Sequence, residues 1–237
     1  MAPCAASAQL ARLHQIRQAT EALIEGLEPE DLCLQGMADA SPAKWHLGHT
    51  TWFFEEFLLG QRPGYGGADS RWRFLFNSYY EAVGARHPRP QRGLLTRPSI
   101  AEVLAWRRQV TSALAHERDR LAPALVELGL QHEQQHQELL LIDLLDGFSR
   151  NPLEPAAYPA GASGVAPEAD YERCIAEAPA KPSWIELEGG LLQIGASPGG
   201  FHFDNEAPRH RLWLEPYAMA NRLVSNAEFA AFIADGG

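Results

Sequence analysis

Cysteine is scarce. The 237 residues include three, Cys4, Cys33 and Cys174, far apart and with no C-x-x-C pair. That argues against a disulfide framework and fits a reducing compartment. Basic charge is short as well. Twenty Lys and Arg stand against 30 Asp and Glu, a formal net charge of −10, which weighs against non-specific binding to nucleic acid or anionic membranes. Long apolar runs are missing, so no stretch approaches a membrane span. Met1 to Leu10 has neither a basic n-region nor a continuous apolar h-region, so no signal peptide is expected. The expectation is a soluble cytoplasmic protein with neither nucleic-acid nor membrane partners. What is present is enough apolar material for a real core, 46%, and enough length for two modest domains or one large one.

The first half reads as helices. Leu10, Leu13, Ile16, Leu23 and Leu27 recur at helical spacing, which predicts a helix over 7–27 with Ser7 as N-cap. His14 within it reads as an ordinary surface or partly buried histidine. Ser41-Pro42 predicts a second helix start, with Ser41 as cap and Pro42 at the first helical position, running to about Leu59. His49, Trp52, Phe53 and Glu56 share one of its faces. Residues 60–98 are broken by Arg62-Pro63-Gly64 and by His87-Pro88-Arg89-Pro90, which cannot sit inside helices. A connection of that length is functional or disordered, and its aromatics (Trp72, Phe74, Phe76, Tyr79, Tyr80) argue for order. Ser99-Ile100-Ala101-Glu102 is a capping box that opens a third helix. Pro123 opens a fourth, which Gly147 ends; Gly129 inside it marks a close helix contact. Four amphipathic helices with one long crossover predict a four-helix bundle over 1–148, an architecture that builds metal sites from facing helices.

The fourth helix carries His132-Glu133-Gln134-Gln135-His136. Histidines four apart lie on one face, one turn apart, where a divalent transition metal can take both nitrogens. The string also matches the H-E-x-x-H pattern of zinc peptidases, with Glu133 as general base and Glu154 as a distant third ligand. Glu154 sits in a Pro-rich segment, and the extended form of that motif is absent, so this is the weaker reading. The bundle reading takes its third ligand from another helix, His49 being the best candidate and His46 its competitor. Three neutral imidazoles would suit Zn(II) or Fe(II), and residue chemistry does not choose between them. Arg86 and Arg89 read either as solvated arginines or as a clamp for a substrate carboxylate.

Beyond Ser149 the composition changes. Residues 149–183 are rich in Pro, Ala and Gly and read as a linker. In 184–237, Trp184–Glu188 and Leu191–Gly195 predict two strands joined by a Gly-rich turn. Arg211–Glu215 predicts a third strand, and a helix starts at Ser225 or Asn226. About fifty residues cannot close a core of this kind unaided, so the second domain is expected to be incomplete.

Several separated motifs, in one order, resemble the sulfoxide synthases of ergothioneine biosynthesis. Lys44-Trp45-His46-Leu47-Gly48-His49-Thr50-Thr51-Trp52-Phe53 resembles their first metal motif, and His132-Glu133-Gln134-Gln135-His136-Gln137-Glu138 their second. Asn77–Gly84 and Arg92-Gly93-Leu94-Leu95 also look like that family. Asp204–His210 and Leu223–Phe229 resemble the opening of a formylglycine-generating-enzyme (FGE-sulfatase) domain. The resemblance implies a mainly α fold, a DinB-like four-helix bundle followed by an incomplete α+β FGE-sulfatase-like domain. It implies a non-haem Fe(II) held by His49, His132 and His136, with Arg86 and Arg89 on the thiol's carboxylate and Gln135 facing the second substrate. The implied oxidoreductase reaction uses O2 to join cysteine or γ-glutamylcysteine to the imidazole of hercynine. The family's catalytic tyrosine lies in sequence beyond position 237, so this chain is expected to be inactive alone or to need a separate C-terminal chain. The competing expectations are a Zn-dependent DinB-like thiol transferase and a non-enzymatic subunit of a split enzyme.

Overall fold

The computed structural model describes residues 5–60, 62–78, 81–158 and 181–237. The expected linker falls mostly outside these residues, as do Tyr79, Tyr80, Cys4 and Cys174. The chain divides into two compact units, 1–158 and 159–237.

The first unit is built on helices α1 (Ala5–Ala22), α2 (Ala43–Phe54), α3 (Ser70–Phe76), α4 (Ile100–His116) and α5 (Pro123–Ser149). Helix α5 packs on α1 and α2, and α2 packs also on α3 and α4. Every residue of α2 is buried. The sequence predicts an amphipathic helix there; the apolar and aromatic residues spread around its circumference instead make it the central strut of the bundle. Its last turn widens to π-helical geometry over Glu55–Leu59. Two glycines permit its packing. A Cβ on Gly48 would run into the Phe76 ring, and one on Gly129 of α5 would meet Phe53 and Phe54, the close contact expected of it.

Some expected boundaries shift. Helix α1 begins before Ser7, so Ser7 is not its cap, and the helix proper ends at Ala22. Pro42 itself occupies the N-cap of α2, its carbonyl accepting from the Trp45 and His46 amides. Ser41 is turned inward, and its Oγ accepts from Arg92 at 2.9 Å. The aromatic stretch of the long connection forms α3, because Asp69 accepts from the Arg71 amide and starts a helix that sequence periodicity is too short to reveal. The capping box at Ser99 and Glu102 is present as predicted, while α5 runs through Gly147 to Ser149.

The core also holds charge. Glu133 is fully buried between Arg17 and Arg107, which are themselves 2% and 0% exposed. Its Oε2 accepts from Arg17 at 3.2 Å, and its Oε1 accepts from Arg107 and, at 2.7 Å, from Thr20. Burial raises the Glu133 pKa, but the two guanidiniums outweigh it and hold the carboxyl below its ordinary value. The cluster joins α1, α4 and α5 at one point.

The second unit contains β1 (Trp184–Leu187), β2 (Gly190–Ile194), β3 (His210–Leu214), β4 (Tyr217–Ala220) and α6 (Asn226–Ala234). The sequence predicts β1 and β2 as neighbours across a glycine turn. They pair with different partners instead: β1 runs antiparallel to β4, with Trp184 opposite Ala220, and β2 antiparallel to β3, with Gly190 opposite Leu214. Gly189 and Gly190 lie at φ +73° and +106°, a backbone region that glycine enters freely. No strand residue is buried, and Trp184, Ile185, Leu191 and Trp213 remain more than half exposed. Two-stranded ribbons of this kind bury too little to be stable by themselves. Helix α6 opens with a complete capping box between Ser225 and Glu228.

Candidate metal centre

Helices α2 and α5 face each other through their histidines. His49 comes from α2; His132 and His136, one turn apart, come from α5. One ligand atom from each lies within 4.8 Å of the others, and among the described residues this is the group that could hold a metal ion. Nε2 of His49 and Nε2 of His132 are 3.1 Å apart. Two nitrogens bound to one metal at about 2.1 Å are separated by about 3.0–3.4 Å, so the spacing suits a shared ion. His132 Nδ1 is buried without a hydrogen-bond partner among the described residues, which leaves that ring with spare donor capacity.

The surroundings prepare these rings. His49 Nδ1 lies 2.6 Å from the Phe76 carbonyl. A carbonyl only accepts, so Nδ1 carries the proton and Nε2 presents its lone pair to the other histidines. The His49 ring stacks on Trp45, with centroids 4.6 Å apart and planes at 11°. Phe53 packs on His132. Burial, then neighbouring charge, depresses the pKa of His49 and His136 well below the ordinary imidazole value, and burial takes His132 down to about 4. All three rings are therefore neutral near pH 7, the form a metal requires.

His46, the competing ligand, is not a member of the group. Its Nδ1 lies 2.8 Å from His136 Nδ1 and its Nε2 lies 3.0 Å from Asp143 Oδ2. Glu133, the general base of the peptidase reading, points into the arginine cluster and is not among the residues that line the cavity beside the histidines. The motif H-E-x-x-H is thus divided between two tasks. Its histidines face the site, and its glutamate holds the core together.

The histidines open on a cavity of about 310 Å³. Gln135 and Arg89 line it; Arg86 is not among its lining residues and donates instead to the Ser78 carbonyl at 2.7 Å. The cation that sequence reasoning left without a role is Arg92. It lines the cavity, lies 3.3 Å above the Trp45 ring, and donates to Ser41 and Ser78. Its motif Arg92-Gly93-Leu94-Leu95 stood out by resemblance alone, and no role followed from it, because its partners Trp45, Ser41 and Ser78 lie far from it in the chain. Asp143 was unmarked, although it follows His136 by seven residues and so shares its helical face.

The family model of the DinB superfamily matches residues 12–140, more than half of the chain and the whole span of these histidines. The chain belongs to the DinB superfamily. The DinB bundle is followed by a match of residues 172–237 to the sulfatase-modifying factor enzyme 1-like domain. The chain is also similar to a hercynine oxygenase of Mycolicibacterium thermoresistibile, with 28% identity over 205 residues, 83% of this chain and 42% of that protein. It thus spans less than half the length of that curated relative. No helix among the described residues is long and apolar enough to cross a membrane. The mainly α architecture, with a DinB bundle ahead of a small region of sheet, is as the sequence implied.

Proposed function

We propose that the DinB bundle of this chain is the metal- and thiol-binding part of a non-haem Fe(II) sulfoxide synthase of the hercynine oxygenase type, an oxidoreductase. The observation that carries the reading is the convergence of three neutral imidazoles from two helices beside a cavity lined by two guanidiniums. The donor set fits a divalent ion that keeps positions open for substrates. His49, His132 and His136 would hold it. When bound, Fe(II) would supply the activation of O2 needed to join a thiol to the imidazole of hercynine.

The chain's own residues orient the rest. Arg89 and Arg92 give the cavity a positive wall suited to the carboxylate of cysteine or γ-glutamylcysteine. Arg92 is held in place by Ser41, Ser78 and the face of Trp45, so its charge is fixed before any ligand arrives. Arg86 acts through the Ser78 backbone, shaping the wall rather than reaching the substrate. Gln135 lies on the same face of α5 as His132 and His136 and offers a donor and an acceptor to the second substrate. Phe53 and Trp52 pack against the histidine rings and shield them from water.

The test is anaerobic Fe(II) binding, with nitric oxide as an EPR probe of an open position. The expected result is one iron per chain, lost in His132→Ala and His136→Ala, with a nitrosyl signal that shifts on adding cysteine or γ-glutamylcysteine. The same three imidazoles would also suit Zn(II) in a thiol transferase. Retention of zinc in preference to iron, with anaerobic consumption of the thiol, would replace the first reading by that one.

A further inference from the structure

His46 and Asp143 form a chain of hydrogen bonds that ends on His136. Asp143 Oδ2 accepts from the Ser41 amide at 2.8 Å and lies 3.0 Å from His46 Nε2. His46 Nδ1 in turn lies 2.8 Å from His136 Nδ1. His46 is buried, and the Asp143 side chain is 13% exposed.

The proton order follows from the chemistry of the partners. A carboxylate accepts and does not donate, so the proton between Asp143 and His46 sits on His46 Nε2. A neutral imidazole has one N–H, which leaves a lone pair on His46 Nδ1. Two nitrogens at 2.8 Å need one hydrogen between them, and only His136 Nδ1 is left to supply it. His136 therefore has its Nε2 lone pair free for the metal. His49 reaches the same state by a separate route, through the Phe76 carbonyl. The two routes differ in charge. The carbonyl is neutral, whereas the relay through His46 ends on an anion and makes His136 the more electron-rich donor.

We propose that His46 and Asp143 are positioning residues of the metal centre, fixing the tautomer of His136 and raising its strength as a ligand. The inference rests on the proposed metal site at His49, His132 and His136. Side chains outside the ligand set that orient a ligating histidine are commonly worth about 10–100-fold in metal affinity. Ser41 belongs to the same device, because its backbone amide anchors the carboxylate while its hydroxyl engages Arg92.

Cobalt(II) titration of the whole chain under anaerobic conditions tests this, reading the dissociation constant by chelator competition and the d–d absorption spectrum. His46→Phe keeps a ring of similar size but removes the acceptor, so His136 Nδ1–H is orphaned. The expected result is cobalt binding weakened about 10–100-fold, with a shifted d–d band. Asp143→Asn should shift both in the same direction by a smaller amount. His46→Asn restores a carbonyl acceptor near the place of Nδ1 and should recover part of the loss. If His46→Phe does not fold, Asp143→Asn decides, since that residue lies at the margin of the core. Folded variants that bind within twofold of wild type, with an unchanged spectrum, would overturn the inference and leave the metal site standing. An Asn variant as weak as the Phe variant would overturn it too. A wild-type chain that binds no cobalt, iron or zinc would overturn the metal reading itself and the relay with it.

Discussion

Replacing Glu133 by Gln separates two accounts of the same motif. In a zinc peptidase the glutamate of H-E-x-x-H is the general base, and its loss would abolish activity and spare the fold. Here Glu133 is the anion between two buried arginines, with no exposed surface of its own. Gln keeps the shape and one acceptor but removes the charge. Arg17 and Arg107 are then left as neighbouring cations in the core. Burial and Arg107 already pull Arg17 down to about 9, against the opposing pull of Glu133. Breaking a buried ion pair from one side typically costs about 3–5 kcal/mol, because the remaining charge is uncompensated. The hydroxyls of Thr20, Thr51 and Thr111 and the Arg107 carbonyl solvate part of the cluster, so the lower half of that range is expected. For a chain of this size each kcal/mol moves Tm by about 2–4 °C, a drop on the order of 10 °C. Helical circular dichroism during heating and in urea would measure it, with iron stoichiometry determined on the folded variant. A Tm within about 2 °C of wild type, or folded protein that no longer binds iron, would refute the assignment of Glu133 to the core.

Four further outcomes follow from the geometry. Gly48→Ala drives a methyl group into the Phe76 ring, whose residue also receives the His49 proton, so a loss of about 1–3 kcal/mol with weaker iron binding is expected; an unchanged urea midpoint would count against that packing. Ser99→Ala removes the capping box of α4 and should cost about 1 kcal/mol in urea while leaving iron stoichiometry untouched. In metal-free protein, His132 binds its proton near pH 4 whereas the unfolded chain binds it near 6.5, so stability falls as pH drops below about 6.5, by about 2 kcal/mol at pH 5 from this residue alone. His46, His49 and His136 are depressed as well and act in the same direction, and a urea midpoint that holds or rises between pH 7.5 and 5 would contradict this. Arg89→Ala should raise the cysteine concentration needed to shift the iron–nitrosyl signal roughly tenfold or more, and an unaltered titration would remove Arg89 from the thiol wall.

The sequence by itself determined the helical plan and the pair of histidines on α5. Periodicity, the capping box at Ser99 and Pro123 at a helix start act over a few residues, so they are written locally. The spacing of His132 and His136 is likewise a property of one helix. The choice between His46 and His49 was not local. Both lie on α2 three residues apart, and only the crossing of α2 over α5 brings one toward the other histidines and sets the other between His136 and Asp143. Helical spacing turns Glu133 about 100° from His132 but could not show what it meets there, because its partners Arg17 and Arg107 come from two other helices. Arg92 reached the cavity wall, and Arg86 did not, through the path of an irregular connection that no periodic pattern encodes. The β1–β4 and β2–β3 pairings were hidden for a related reason: a strand's sequence states that it pairs, while its partner is set by long-range register. Local backbone preference fixed the elements. Contacts between residues far apart in the chain decided which side chains meet, and the site consists of such meetings.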